Sequence, residues 1–336
     1  GVLEGGVLGP IVGILVDRIG SKKVVFFGIL IIGCGFIVLS QTHTISMFYL
    51  SYIILMLGVS GAGYLPMMTV INNWFYKKRT VAMGIGGMGY SIGGFLLVPT
   101  LAWMVNPSHL GWQTTSMSLG IFFLAVAYPV THGIKNSPEA FGEIPDGREK
   151  ATVQGHRNYQ QAFHPADIDY SILDVLKMRV FWIISICHGM NSMLISTMTV
   201  HLILALKDQG LSLQTAAWIW GLTMGFSGPT QILGGFIGDR APKKLGLCVF
   251  GCIQAVGVIL AVHMQSTYLF SLFIIVYGLG FGARIPLGTA IRGEYFGRKA
   301  FGRVLGLSMI PMFILMMVGP LAAAWFYDKT GSYDVA

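Results

Sequence analysis

Residues 13–23 read Gly-Ile-Leu-Val-Asp-Arg-Ile-Gly-Ser-Lys-Lys, and residues 235–244 repeat the pattern as Gly-Phe-Ile-Gly-Asp-Arg-Ala-Pro-Lys-Lys. Each copy lies between two apolar runs of helix length, and Asp17 and Asp239 are 222 residues apart. Nearly the same offset relates four further pairs: Pro66 and Pro286, Phe75 and Phe296, Gly84 and Gly306, and Pro99 and Pro320. The chain therefore contains one structural plan twice.

The composition indicates that lipid surrounds most of this chain. Hydrophobic residues make up 54% and charged residues 11%, whereas a soluble domain has about 25% charged residues. A bilayer core of about 30 Å is crossed by about 20 apolar residues in a helix. The sequence predicts ten spans, at residues 1–16, 23–40, 47–73, 80–104, 111–133, 180–206, 213–238, 245–262, 268–291 and 303–327.

The net charge of +8 reports orientation in the membrane rather than a nucleic-acid partner. If the first span runs toward the cytoplasm, the inner loops hold nineteen basic residues and the outer loops two. This count places Arg292 in an inner loop, just beyond the span 268–291. Such an asymmetry predicts a multi-pass cell-membrane protein whose basic loops lie in the cytoplasm.

The repeat also predicts the domain organisation. Residues 1–133 form a first half, residues 134–179 a polar cytoplasmic linker with a short helix near 170–178, and residues 180–336 a second half. Shifting the spans 180–206 and 111–133 by the offset places their partners beyond the two ends of the chain. We therefore expect an all-α membrane protein with ten of twelve helices present, in two pseudo-symmetric six-helix halves.

At this point the motifs resemble a known family. The loop at 13–23, with its weaker copy at 235–244, resembles the hallmark loop of the major facilitator superfamily. The segment 74–85, Trp-Phe-Tyr-Lys-Lys-Arg-Thr-Val-Ala-Met-Gly-Ile, is similar to the monocarboxylate transporter and oxalate/formate antiporter branch. The resemblance implies a secondary transporter that works by alternating access, without cofactor, metal or enzymatic activity.

Once the residues counted in the loops are set aside, two Asp, Glu, Lys or Arg residues remain within the predicted spans, Glu4 and Arg284. A charge at bilayer depth costs about 2.5–3.5 kcal/mol and usually faces a bundle interior or a cavity. The guanidinium of Arg284 suits a carboxylate, so we predict that it binds substrate, the alternative being a structural arginine. Tyr64 is its counterpart in the first half and is a second candidate, although the sequence favours a simple packing role for it.

His188 and Asn191 lie on one helix face with Ser192, because they are three and four residues apart. Both are predicted to contact substrate, and His188 could also carry a proton because its ordinary pKa is near neutrality. Glu4 is the other candidate for proton coupling, since burial favours protonation of a carboxyl group. For His188 and Glu4 the alternative is a satisfied hydrogen bond between helices.

The repeated loops are predicted to open and close the cytoplasmic side. An Asp at a helix end can accept hydrogen bonds from the N-terminus of a neighbouring helix. Positive-inside topology alone explains the lysines but not two Asp-Arg pairs. The predicted gating residues are Gly13, Asp17, Arg18, Gly20, Asp239 and Arg240.

The leading functional prediction is secondary transport of a small organic anion, a monocarboxylate or dicarboxylate, by proton symport or anion exchange. The expected partners are this solute and membrane lipid, and the protein is expected to be a monomer. An exporter of amphipathic or neutral molecules is the first alternative, because 18 methionines can line an adaptable cavity. A membrane enzyme lacks the clustered histidines it would need, and a non-transporting sensor is a remote alternative.

Overall fold

A computed structural model describes residues 2–146, 169–262, 266–331 and 333. The helices of the first half are α1 (Val2–Ile19), α2 (Ser21–Ser40), α3 (Ile45–Ala62), α4 (Tyr64–Trp74), α5 (Arg79–Val105) and α6 (Gly111–His132). A short helix, α7 (Ile172–Lys177), follows, and then the long helices α8 (Arg179–Asp208), α9 (Leu213–Arg240), α10 (Lys243–Val262), α11 (Thr267–Phe296) and α12 (Phe301–Thr330).

All ten predicted spans are helical, and two differ from expectation in ways that matter for the site. The span 47–73 is divided at Gly63, whose backbone (φ −87°, ψ −145°) separates α3 from α4. The span 268–291 extends to Phe296 as part of α11, so Arg292 lies inside a helix and not in a loop. The expectation that Arg292 belongs to a cytoplasmic loop is therefore wrong.

Eight spans in the described chain are long and apolar enough to cross a membrane, with α3 and α4 counted together. The helices α1 and α9 are not among them. In α1 the three charged residues Glu4, Asp17 and Arg18 fall within 18 residues. Helix α9 instead carries buried polar side chains, among them Thr223, Ser227 and Gln231, between its neighbours.

The two halves meet mainly through two helix pairs, α1 with α12 and α5 with α9. Glycine makes this approach possible, because a Cβ added at Gly13 would collide with the backbone of Gly302 on α12. The second pair shows the same feature, since a Cβ at Gly235 would lie 2.7 Å from the Cα of Val81. These small-residue faces let backbones pack closely, which brings the loops of one half against the helix ends of the other.

The ends of the linker pack on the second half. Helix α7 begins at a capping box formed by Ser171 and Asp174. In this motif the side chain of each residue accepts a hydrogen bond from the backbone N–H of the other. Val175 of α7 is buried with Phe181, Phe296 and other apolar side chains at the start of α8 and the end of α11. The short helix expected near 170–178 is thus present and anchored.

Candidate functional site

Each repeated Asp caps a helix of the opposite half. Asp17 Oδ2 accepts hydrogen bonds from the backbone N and the Nε of Arg303, both at 3.0 Å, at the start of α12. Asp239 accepts from Thr80 N at 2.8 Å and Val81 N at 3.1 Å, at the start of α5. A carboxylate at a helix N-terminus satisfies free N–H groups and interacts favourably with the helix dipole. The two Asp-Arg loops therefore make equivalent contacts between the halves.

The loops differ in the backbone that follows the Asp. Gly20 adopts φ +86°, a conformation that favours glycine, and a Cβ there would meet the side chain of Asn136. The Asn136 carboxamide oxygen accepts from Lys22 N at 2.8 Å. In the second copy Ala241 and Pro242 follow Asp239-Arg240. Ala241 has φ −124° and the proline ring fixes a negative φ, so no glycine is needed. The exposed Arg18 makes no cap, and Arg240 donates to Phe236 O at 3.3 Å.

Linker residues add further contacts at this end of the bundle. Arg298, in the loop between α11 and α12, forms two hydrogen bonds with the carboxylate of Glu139, at 2.8 and 3.2 Å. Partial burial raises the pKa of Glu139, but the hydrogen bonds and the charge of Arg298 together lower it by more than burial raises it. The pKa of Glu139 therefore lies below its ordinary value. Arg303 also pairs with Asp169 at 2.9 Å. The linker thus helps to hold the two halves together at the basic end.

Arg292 is the largest fully buried side chain in the described chain, with 0% exposure. Its Nε donates to Ser308 Oγ at 3.2 Å, its Nη2 contacts His188 Nδ1 at 3.1 Å, and its Nη1 donates to Gly288 O. Ser308 also accepts from Ser185 Oγ at 3.0 Å. We call Arg292, His188, Ser185 and Ser308 the Arg292 cluster. It joins α8, α11 and α12.

All hydrogen-bond partners of Arg292 in the described structure are neutral. The ion pairs of the described residues lie elsewhere, at Asp17, Glu139, Asp169 and Glu294. A buried charge is normally paired with an opposite charge, because removing it from water is costly. The Arg292 cluster therefore holds a positive charge that one hydroxyl, a carbonyl and an imidazole stabilise incompletely.

The first half reaches this region through Tyr64. Its hydroxyl lies 2.6 Å from the Oγ1 of Thr289, a buried residue three positions before Arg292 on α11. Thr289 also donates to Ile285 O at 3.2 Å. The predicted site residues Tyr64 and His188 thus contact the same short stretch of α11 from opposite halves of the molecule.

Arg284 occupies a different place. Its Nη1 donates to Gln254 Oε1 on α10 at 2.8 Å, and its Nε has no hydrogen-bond partner in the described structure. The guanidinium lies beside Gly251, whose added Cβ would be 3.6 Å from its Cζ. Arg284 therefore faces α10 within the second half, and the structure does not bring it together with Tyr64.

A cavity of about 620 Å³ lies next to Arg284. Helices α8, α10 and α11 line it, and none of the described residues of the first half contributes. His188 and Asn191 both face this cavity, and the buried Oδ1 of Asn191 has no hydrogen-bond partner among the described residues. The repeat relates α10 to α2, and in the first half α6 packs on α2 at Gly33 and Gly120. We call the cavity beside Arg284 the lateral cavity. It borders the face of α10 that corresponds, in the repeat, to the face of α2 covered by α6 in the first half.

One prediction cannot be followed in the structure. The side chain of Glu4 lies outside the described residues, although its backbone belongs to α1. In the part of the chain that is described, no three His, Cys, Asp or Glu side chains come together as a metal site would require. Cys248 and Cys252 face the lateral cavity with Cys187.

Arg292 is the residue that sequence analysis missed, because hydropathy ended the span at residue 291. The repeat itself contained the signal. The offset that relates Phe75 to Phe296 places Arg292 opposite Ile71, which lies inside the predicted span 47–73. Extending the second-half span to match the first would have placed Arg292 within the membrane-embedded bundle.

Apolar helices arranged in two groups, joined by glycine-rich faces and by reciprocal Asp caps, define a multi-pass membrane transporter. The family model described as Major Facilitator Superfamily matches residues 2–283 and, in a second match, residues 181–335. The chain therefore belongs to the Major Facilitator Superfamily. This membership confirms the predicted all-α fold, and also confirms that the protein is a transporter and not an enzyme.

The relatives agree with this assignment. The chain is 28% identical to "Uncharacterized MFS-type transporter YcxA" of Bacillus subtilis (strain 168), over 98% of this chain and 77% of that protein. It is 22% identical to "Monocarboxylate transporter 13" of Bos taurus, over 97% and 72%. The solved structure of the E. coli fucose:proton symporter FucP (N162A) matches with a TM-score of 0.71 at 13% identity, over 99% of this chain and 84% of that one. This last likeness concerns the fold alone.

Proposed function

We propose that this transporter moves a small organic anion, a monocarboxylate or a dicarboxylate, by alternating access with proton symport or anion exchange. The observation that carries the proposal is Arg292, a fully buried guanidinium whose described partners are all neutral. The similarity to "Monocarboxylate transporter 13" adds support at 22% identity.

The physical argument concerns the missing negative charge. A guanidinium has five N–H donors and binds a carboxylate through two parallel hydrogen bonds. Three donors of Arg292 have partners. A small anion that enters when the halves separate would supply the opposite charge and accept hydrogen bonds from the guanidinium of Arg292. A buried cation gains most from such a partner because water no longer screens it.

The other predicted site residues have proposed roles around this charge. Tyr64 would donate its hydroxyl to the anion after release from Thr289, and His188 would orient Arg292. Asn191 offers an unpartnered oxygen in the lateral cavity next to His188. Arg284 stays a candidate for substrate binding, but its bond to Gln254 and its distance from the first half favour a structural role.

The basic end is proposed to be the cytoplasmic gate of a monomer in the cell membrane. The two halves, residues 1–133 and 180–336, would separate there by breaking the Asp17 and Asp239 caps, with Gly13 and Gly20 allowing the close contact. Arg18 and Arg240 would contribute to positive-inside orientation. The contacts of Glu139 and Asp169 suggest that the linker, residues 134–179, takes part in closure.

The test is counterflow in proteoliposomes that contain the full-length protein, with labelled formate, acetate, lactate, pyruvate and oxalate. Accumulation of one anion, inhibited by its unlabelled form, is expected for the wild type. The Arg292→Gln variant should lose it, while the matched variant Arg284→Gln on the same helix should keep it. Unchanged counterflow by a folded Arg292→Gln protein would contradict the proposal.

Export of amphipathic molecules is the second candidate. A stretch covering 42% of this chain is 31% identical to the "Fujikurins efflux protein" of Gibberella fujikuroi, and the lining of the lateral cavity is largely apolar. If no carboxylate accumulates in vesicles with a demonstrably folded protein, uptake of labelled amphipathic compounds into inverted vesicles becomes the deciding measurement.

A further inference from the structure

The contact between Arg292 and His188 constrains the protonation of the imidazole. Arg292 Nη2 lies 3.1 Å from His188 Nδ1. A guanidinium has donors and no acceptor, so the ring nitrogen must accept this hydrogen bond. His188 is then neutral and carries its proton on Nε2. In this state a proton cannot bind at Nδ1 unless Arg292 first moves away.

The same contact limits the anion site. The Nη2 donor that points at His188 is one of those a carboxylate would use for a two-point contact with Arg292. While the contact persists, neither the anion nor the proton has its full binding site. One displacement of the guanidinium would open both sites together.

We propose that the Arg292–His188 hydrogen bond is the coupling element of the transporter, and that His188 Nδ1 accepts one proton when a monocarboxylate binds Arg292. This inference rests on the proposed function. In the bound state the N–H of Arg292 turns from the imidazole to a carboxylate oxygen, and a proton from solution occupies the vacated nitrogen. The carboxylate and the proton together carry no net charge, so transport would be electroneutral with one proton per anion.

The surroundings of His188 support this role. On α11 the charged and titratable groups are Arg292, Arg284 and Tyr295, and on α10 they are Lys244, Cys248 and Cys252. Cys187 is its neighbour on α8, and the cluster residue on α12, Ser308, does not titrate in this range. No carboxylate of the described residues lines the cavity beside His188. With cations on two sides, the imidazole would gain a proton only when an anion arrives, which is the behaviour that coupling requires.

The experiment compares His188→Gln with a matched histidine variant. Glutamine keeps an acceptor for Arg292 but does not titrate. His201 lies on the same helix and is bonded to Pro320 O at 2.9 Å and to Tyr333 at 3.1 Å, so His201→Gln serves as the control. Each protein is assayed in proteoliposomes for lactate counterflow at equal pH and for lactate accumulation driven by an inside-alkaline gradient. Protein-free liposomes measure passive entry of the undissociated acid.

The wild type and His201→Gln should show both activities. His188→Gln should lose gradient-driven accumulation, while its counterflow should fall by a much smaller factor, because glutamine still accepts from Arg292 but binds no proton. Retained accumulation would show that His188 does not bind the coupled proton, and loss of counterflow as well would show that it does more than bind that proton. Either result would overturn the inference. Accumulation that changes with a clamped membrane potential in the wild type would also overturn it. Absence of counterflow with every carboxylate in the wild type would instead overturn the proposed function.

Discussion

Two arginines on α11, Arg284 and Arg292, lie about two turns apart and have opposite surroundings. Arg284 is half-buried, faces α10 and the lateral cavity, and bonds to one carboxamide. Arg292 is fully buried where α8, α11 and α12 meet, with three neutral partners. The comparison teaches that depth along a helix does not identify a binding charge. The direction of the side chain and the charge balance around it do.

The repeat explains why the expectation for Arg284 was plausible. Its sequence counterpart is Tyr64, and Tyr64 does lie at the contact between the halves. The chain breaks at Gly63 just before Tyr64, whereas α11 continues without interruption through Arg284. Equivalent positions therefore point to different neighbours. The counterpart of Arg292 is the apolar Ile71, so the repeat does not place the charge of Arg292 in the first half.

The largest effect is expected for Arg292→Gln. Removing one partner of a buried charged contact costs about 2–5 kcal/mol, so substrate affinity in counterflow should fall on the order of 30- to 5,000-fold. Arg292→Lys should recover part of this loss, because it keeps the charge but not the planar fork. Equal transport by both variants and the wild type would remove the distinction between the two arginines.

Ser308→Ala should have the next largest effect. The substitution leaves the Nε of Arg292 and the hydroxyl of Ser185 without their shared acceptor. An unsatisfied buried donor costs about 1–3 kcal/mol, which predicts a loss of transport rate of about 5- to 150-fold. Initial rates of uptake at equal protein density measure it. A wild-type rate would mean that the orientation of Arg292 does not matter.

Tyr64→Phe tests the contact from the first half. Loss of the 2.6 Å hydrogen bond to Thr289 removes about 0.5–1.5 kcal/mol, so transport should change by about 2- to 13-fold. A double-mutant cycle with Thr289→Val shows whether the two residues act together. Strictly additive effects would indicate that Tyr64 acts independently of α11.

The smallest effect is expected for Arg284→Gln. The side chain is half-buried at a cavity, and glutamine can still contact Gln254, so counterflow should stay within about twofold of the wild type. The same preparation should show little change in thermal stability by light scattering. A loss as large as that of Arg292→Gln would show that Arg284 binds substrate, and it would reverse the comparison.

Much of the fold follows from local pattern. Apolar runs predicted the ten spans to within a few residues, except at the end of α11 and at the Gly63 break. The first exception has a tertiary cause, because Arg292 and Gly293 at the end of α11 pack against other helices. The break at Gly63 is local, since a Cβ there would lie 2.6 Å from the carbonyl oxygen of Val59 in the preceding turn. Hydropathy reports the average environment of a segment and contains no information about which face meets which helix.

The site was predictable in part. His188 was selected for its residue type within an apolar span, and the structure brings it to Arg292. The repeated Asp residues were expected at helix N-termini, and both are found there. The predicted span ended at residue 291, so it included Arg284 and left out Arg292, although α11 continues to Phe296. The partner of Arg292, His188, is 104 residues away in the chain, and the partner of Arg284, Gln254, is 30 residues away. Contacts of that kind leave no local trace in a single sequence.

By itself, the sequence determined the membrane class, the twofold plan and the family, because these depend on composition and repetition along the chain. Only the tertiary structure decided that Arg292 is buried among neutral partners, that each repeated Asp caps the opposite half, and that Tyr64 and Arg284 face different neighbours. Burial and charge balance arise from helices packed against one another. They are properties of the assembled bundle and not of any single segment.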